Sequence, residues 1–542
     1  VFIFFIVFVF VFVFARPIHA DEMNASTDNV TNFAARANVM LVKAASAPKV
    51  LTTELSSCDK TALAIATCRA LFYPLSPTFN RFDDEHMARA LERLASDCPM
   101  FAGRMRKVSP PLRWTISSLS IDNSNAGIEF RVVEQRSSTI AAMMDPSSWT
   151  MKSIRINTPR FPAYLPDYDS GIKLLKGKEP MCKVQLTHLA DGDVLAVSMS
   201  HMLTDGMHWP QFMTHLAARY KEVATNGTWV APAEKIMAFD GNKAEVNYVA
   251  LRDGYLADGL VDETWKPSPI RVTSKLMDHV RAWGLMFKNG LQKVDFNIVG
   301  VPNGRLKTLK AEAMKRVQAG IEAGTFKTGT YVSTGDVVQA LAMMMVKAAE
   351  KQPAMPVAPR RNIVLAQVPR VPASGPEKYF GNSVHLIGVN FDKDEMAVSE
   401  KEMAGMDVLT RLAVRIRERT LEYRSCPREA LQGVHDTEEI SEHRILKALA
   451  FLAGRRFPLV NCTTNYIGTL KEDSELSFGT EGVLLNSACQ WLVTPLARDM
   501  VVVRPHEPDD ALLFMMALTP KDSKRLRALA WIGELVPDVI FY

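Results

Sequence analysis

The sequence predicts an α/β protein built as two similarly sized halves, each mixing strands with flanking helices. Length carries the division, because 542 residues exceed what one hydrophobic core ordinarily organises. Patterning carries the class: short alternating or wholly apolar runs keep giving way to segments of helical period. With 47% hydrophobic and 23% charged residues, the composition is that of a soluble globular chain.

Taken in order, the chain opens on Val1 to Phe14, an almost pure Val, Phe and Ile tract. Residues 1–22 read either as an apolar leader, with cleavage after Ala20, or as a low-complexity stretch ahead of a start at Met23. Fourteen apolar residues suit a signal core and are short for a bilayer, so no stable membrane insertion is expected. Residues 23–49 are polar or small and are expected to be a flexible tail.

The first domain is placed at 50–229. Strands are expected at Ala66 to Leu71, Arg131 to Glu134, Lys183 to Thr187 and Val194 to Met199, with helices at Glu85 to Ser96 and Phe212 to Val223. Proline-rich turns at Pro110 to Leu112 and Pro159 to Pro166 separate them. Residues 230–269 have little periodicity and read as a connector. The second domain, 270–542, starts with helix-like Ser274 to Phe287 and a strand at Val294 to Val299. A basic helix follows at Leu306 to Val317, then a charged helix at about Lys401 to Tyr423 and strands at Met500 to Val503 and Leu512 to Leu518.

A net charge of +5 is small for this length and spread along the chain, which gives no case for nucleic acid. The seven cysteines are scattered, without a C-x-x-C pair or metal spacing to histidine, so no metal is expected. Such a set fits reduced thiols and a cytoplasmic home. The sequons at Asn24, Asn29, Asn226 and Asn461 keep secretion open as the alternative if residues 1–20 are a signal peptide.

Chemistry concentrates at His201-Met-Leu-Thr-Asp-Gly206. The string follows the strand-like Asp193 to Ser200 and precedes a helical pattern. An imidazole therefore sits at a strand end, with an acid four residues on and a glycine where the chain turns. Histidine is the side chain best suited to take a proton near neutral pH. His188, His208 and His385 have no partner at a telling spacing, although His208 is close enough in sequence to be a rival base.

Other segments stand in a consistent order around this string: Leu55-Ser-Ser-Cys-Asp59, LERLASDCPMFAGR from Leu91 to Arg104, Val184-Gln-Leu-Thr187, Val332-Ser-Thr-Gly-Asp336 and Tyr379-Phe-Gly-Asn382. Together they resemble the BAHD acyltransferases, the His-x-x-x-Asp-Gly enzymes that use acyl-CoA donors. The resemblance runs from about Leu55 to the C-terminus. It departs at Ser477-Phe-Gly-Thr-Glu-Gly482, where Phe478 and Gly479 survive from Asp-Phe-Gly-Trp-Gly and the Asp and Trp do not. It departs again at Val368-Pro-Arg370, which keeps one arginine of an Arg-x-Arg pair, and at Cys462-Thr-Thr-Asn-Tyr466, which replaces a Thr-Ser-Trp strand.

The resemblance implies two chloramphenicol-acetyltransferase-like domains with a tunnel at their interface. It implies acyl transfer to a small-molecule alcohol or amine, with acyl-CoA as co-substrate and no permanently bound cofactor. His201 would be the general base, with no covalent acyl-enzyme. Asp205 would be a structural acid, Gly206 a turn residue and Arg370 the acid's partner. Thr463, Thr464 and Asn465 become candidates for oxyanion or acceptor contacts. Lys310, Lys315 and Arg316 are candidates for the CoA phosphates, and Ser333 and Thr334 for the cofactor channel. Ser477, Phe478 and Gly479 mark the second-motif loop. A monomer is expected. Two alternatives stand beside this reading: a condensation-domain-like enzyme, whose doubled histidine is Ser200 here, and a catalytically silent relative that binds a small molecule.

Overall fold

The computed structural model describes residues 37–45, 51–56, 59–60, 66–75, 80–106, 119–124, 127–140, 164–168, 172–204, 208–228, 230, 248–268, 295–350, 361–367, 385–391, 405–442, 459–462, 478, 485–490, 500–506 and 510–541. The first half runs β1 (Ala37–Val42), β2 (Thr52–Glu54), β3 (Ala66–Pro74), α1 (Asp84–Asp97), α2 (Pro99–Ala102), β4 (Arg104–Arg106), β5 (Ser120–Asp122), β6 (Ile128–Gln135), α3 (Ile172–Leu175), β7 (Cys182–Leu189), β8 (Gly192–Ser200) and α4 (His208–Ala224). Helix α5 (Tyr248–Ala257) stands in the linking stretch. The second half runs β9 (Asp295–Pro302), α6 (Asn303–Glu322), α7 (Thr334–Glu350), β10 (Arg361–Gln367), β11 (His385–Phe391), α8 (Met406–Ser425), α9 (Pro427–Glu442), β12 (Leu459–Cys462), β13 (Leu485–Gln490), β14 (Met500–His506), β15 (Ala511–Leu518), α10 (Pro520–Arg527), α11 (Ala530–Leu535) and β16 (Ile540–Phe541).

Two mixed sheets organise these elements. The first has the order β1-β6-β7-β8-β3-β13, the second β11-β10-β12-β14-β15-β9-β16, and β2, β5 and β4 form a small third sheet. The two large sheets share a plan. In the first, β6 and β7 are parallel, and β8, β3 and β13 follow with each pair antiparallel. In the second, β12 and β14 are parallel, and β15, β9 and β16 follow in the same sense. Strand β8 leads to helix α4 as β15 leads to α10. The expectation of two similarly built α/β domains is met in this repeated plan.

Every residue of β7 and β8 is buried, including polar ones at alternate positions of β7, where Gln185 Nε2 donates to Thr187 Oγ1 at 3.1 Å. Helix α1 begins where Asp83 accepts a hydrogen bond from the His86 amide at 2.8 Å, a side-chain cap for an otherwise unpaired donor. Its buried residues, Met87, Ala90, Leu91, Leu94 and Ala95, recur at helical spacing and face one core. Ion pairs tie its far end to α4: Asp97 meets both His215 at 2.8 Å and Arg219 at 2.7 Å.

Three elements bear on the expected division of the chain. The expected tail, 23–49, contains β1, which pairs with β6 from Ala37↔Val133 to Val42↔Ile128. The apolar run Val39 to Val42 is a strand signal inside a segment read as polar or small, and its partner edge is distant in sequence. The connector, 230–269, contributes Leu251, Tyr255 and Val261 to a small core with Leu431 and Val434 of α9. Gln432 also pairs with both the amide and the carbonyl of Ser268, each at 2.8 Å. Finally, β13, from the 270–542 stretch, joins the first sheet beside β3. The expected helix at Ser274 to Phe287 and the Tyr379-Phe-Gly-Asn382 string lie outside the described residues.

Gly103, in the Ala-Gly-Arg segment after α2, has a packing reason to be glycine. A Cβ there would lie 2.2 Å from Ile121 Cγ2 and 2.8 Å from Asn123 Oδ1. Gly103→Ala should therefore strain the α2–β5 contact and cost about 1–3 kcal/mol. Urea denaturation measures it, and a variant as stable as the parent would mean that β5 yields freely.

Candidate active site

His201 follows directly on β8, in a turn held by its neighbours. The Ser200 amide donates to the Met181 carbonyl at 3.0 Å, and the Leu203 amide returns to the Ser200 carbonyl at 3.0 Å. Met202 and Leu203 are fully buried, and Thr204 and Ser200 are buried as well. From 200 to 204, His201 alone is half-buried. The apolar pair after the histidine anchors the turn and leaves the imidazole the accessible group. Asp205 and Gly206 lie outside the described residues, as do Arg370, Thr463, Thr464, Asn465, Ser477 and Gly479.

The other histidines divide by environment. His188 is not partnerless, as its sequence spacing suggested. Its Nδ1 lies 2.8 Å from Asp193 Oδ1 and its Nε2 lies 2.8 Å from Asp84 Oδ1. Burial pulls its pKa down, but the hydrogen bonds and charges of Asp193 and Asp84 outweigh that and push it up to about 9. With both ring nitrogens engaged, it is a charged brace rather than a base. Strand pairing could have revealed this partner, since residues 188 and 193 face each other across the β7–β8 hairpin. His215 is completely buried against Asp97. His208 opens α4 and His385 opens β11.

The second half offers an internal control. The residue after β15, at the place His201 takes after β8, is Thr519. Its hydroxyl accepts from the Asp522 amide at 3.3 Å and donates to the Asp522 carboxylate at 2.6 Å. Helix α10 begins at once, so the second copy of the plan closes with a cap where the first displays an imidazole.

The candidates for the CoA site are dispersed. Lys310 is half-buried, while Lys315 and Arg316 are exposed on α6. At about 100° per residue, Lys315 and Arg316 each stand about 120–140° around the helix from Lys310, so the three cations do not share a face. Arg316 is paired with Asp407. Ser333 caps α7: its hydroxyl accepts from the Asp336 amide at 3.3 Å and donates to Asp336 Oδ2 at 2.7 Å. Arg417 holds the same carboxylate oxygen at 2.6 Å, with its guanidinium 4.8 Å from the Tyr331 ring centroid. Thr334 is exposed. The Leu55-Ser-Ser-Cys-Asp59 segment builds the same kind of box, with Ser56 Oγ 2.9 Å from Asp59 Oδ2 and accepting from the Asp59 amide at 3.1 Å. Ser333→Ala should cost about 0.5–2 kcal/mol through the lost cap. Thermal denaturation reads the loss, and an unchanged melting temperature would leave Ser333 free for a ligand.

Cys182 and Cys426 carry free thiols. Burial pushes the Cys98 and Cys182 thiols far up, so neither is an activated nucleophile. Among the described residues, no cluster of three or more His, Cys, Asp or Glu side chains could hold a metal ion, and no helix is long and apolar enough to cross a membrane.

Residues 36–263 match the model of the Transferase family. No curated protein matches the chain in sequence. Among solved structures, TRI101 of F. graminearum, complexed with coenzyme A and T-2 mycotoxin, superposes with a TM-score of 0.61 at 15% identity, over 91% of this chain and 100% of that one. TRI101 of F. sporotrichioides, also complexed with coenzyme A and T-2, gives 0.60 at 16% identity over the same shares. Vinorine synthase gives 0.56 at 13% identity, over 91% of this chain and 97% of that one. At these identities the likeness is one of fold, and it extends the two-domain plan over nearly the whole chain.

Proposed function

We propose that the chain, whose residues 36–263 match the Transferase family model, is a BAHD-type acyltransferase moving an acyl group from acyl-CoA to a hydroxyl or amine of a small molecule. One observation carries the reading: His201 is the half-buried member of an otherwise buried turn at a strand end. The structures of similar fold support the substrate class, since the TRI101 proteins were crystallised with coenzyme A and with T-2 or deoxynivalenol.

In this reaction His201 takes the proton from the acceptor O–H or N–H while that atom attacks the thioester carbonyl. The tetrahedral oxyanion collapses, the C–S bond breaks, and the imidazolium returns its proton to the departing thiolate, giving free CoA thiol and an acylated acceptor. No enzyme nucleophile is needed. Thr463, Thr464 and Asn465 are proposed as donors to the oxyanion, which a preorganised site must meet at about 3 Å. Asp205 is proposed to hold the turn, with Arg370 as its partner and Gly206 giving the chain its bend. Lys310, Lys315 and Arg316 are proposed for the CoA phosphates singly rather than as one cluster, and Ser333 and Thr334 for the channel wall. A monomer in the cytoplasm remains the expected setting.

Incubating the protein with acetyl-CoA or longer acyl-CoAs and a panel of alcohols and amines, with thiol release and acceptor mass as readouts, tests the reading. Acceptor-dependent thiol release supports it. The altered loop at Ser477 to Gly482 favours a second reading, a silent small-molecule binder, which would give acceptor binding without thiol release.

A further inference from the structure

The crossover from the second half to the first ends on one buried ring. Phe478 is 3% exposed and belongs to the first-half core. Its ring meets three others edge to face, Phe82 at 5.2 Å, Tyr220 at 5.7 Å and Tyr73 at 5.9 Å between centroids. These are the separations and tilts at which aromatic quadrupoles attract. Polar bonds fix the socket's walls. The Phe82 amide donates to Asp193 Oδ2 at 2.8 Å, and the Asp83 amide donates to the Tyr220 hydroxyl at 2.9 Å. Tyr73 stands in β3 opposite Asp193. Phe478 thus enters a cavity whose shape the first half sets by its own bonds.

The strand that follows needs such a fixture. β13 is six residues long, and its pairing with β3 shifts between Leu485 and Ala488. A short strand with an irregular ladder specifies its register weakly. From Leu485↔Phe72 it runs to Gln490↔Cys68, toward the end of β3 where Ala66 faces Ser200 and His201 follows. The socket lies at the opposite end, beside Asp193 where β8 begins. One end of the crossover is therefore pinned, and the other is aimed at the level of the histidine.

We propose that Phe478 is a positioning residue: seated among Tyr73, Phe82 and Tyr220, it sets the register of β13 on β3 and so fixes second-half chain beside the strand that presents His201. The consequence for turnover rests on the acyl-transfer reading, whereas the consequence for β13 does not. In Phe478→Ala, the amides of β13 should exchange with deuterium roughly tenfold faster or more, while those of β7 keep their protection, as expected of local opening. Thiol release from acetyl-CoA, counted per folded enzyme, should fall with a raised KM. Phe478→Leu keeps an apolar plug and should recover most of both, which serves also if the alanine variant fails to fold. Exchange in β13 unchanged from the parent, or an equal loss of protection across β7 and β8, would overturn the assignment. A parent protein that releases no thiol would defeat the acyl-transfer reading and leave the exchange result standing.

Discussion

His201→Ala is expected to abolish acyl transfer while leaving the fold intact. A positioned general base contributes roughly 10²–10⁴-fold to rate, and the imidazole is half-buried at a turn already secured by Met202, Leu203 and the Ser200 hydrogen bonds. Removing it takes little from the core. The rate loss should appear in kcat at every pH, because a substituted base is missing rather than mistitrated. Thiol release beside a thermal melt checks both halves of the statement, and an active, folded variant would remove His201 from the mechanism. His208→Ala, made in parallel, should change the rate little.

Asp193→Ala should be among the most destabilising single changes in the first half, at about 3–5 kcal/mol. The carboxylate is fully buried. It accepts from Arg81 Nη1 at 2.8 Å, from the Phe82 amide at 2.8 Å and contacts His188 Nδ1 at 2.8 Å. Its loss would take one of two carboxylates from the buried imidazolium, leaving Asp84, and remove the carboxylate that Arg81 holds. The same cluster sets a pH dependence. His188 titrates near 9 in the folded chain against about 6.5 unfolded, so the folded state binds a proton that the unfolded state has released between those values. The stabilisation is complete below about pH 6.5 and fades as pH rises through about 9. Urea midpoints measured from pH 6 to 10 should fall across that window in the parent. His188→Gln should be less stable at neutral pH and much flatter; a parallel decline in both would assign the alkaline loss to other groups.

How much of this could be read from residues alone follows from the distance over which each feature is decided. β7 and β8 announce themselves because they alternate at the period of a strand, and α1 because its apolar residues recur at helical spacing. The placement of His201 at a strand end was legible for the same reason, since both flanking elements carry strong local patterns. β1 was legible only as the apolar run Val39 to Val42, because the edge it pairs with, β6, lies about ninety residues away. The brace at His188 joins a hairpin neighbour to Asp84, 104 positions distant, and the socket for Phe478 draws on three separate segments. Phe478 itself was legible as a surviving motif residue, but its partners were not. The dispersal of Lys310, Lys315 and Arg316 could have been noticed from the helical wheel, without coordinates.

The shared strand order of the two sheets has a bearing on how this protein tolerates change. A scaffold used twice and armed once is under unequal constraint at corresponding points. At 519 the requirement is a short side chain that can cap a helix, and serine, aspartate or asparagine meet it nearly as well as threonine. At 201 the requirement is a titrating ring, and no other side chain substitutes for it near neutral pH. Saturating both positions and selecting for acyl transfer should therefore return a single residue at one site and a small polar set at the other. Two regions drawn on one blueprint would thus have diverged, one free to drift within the grammar of a helix start and the other held to a single letter.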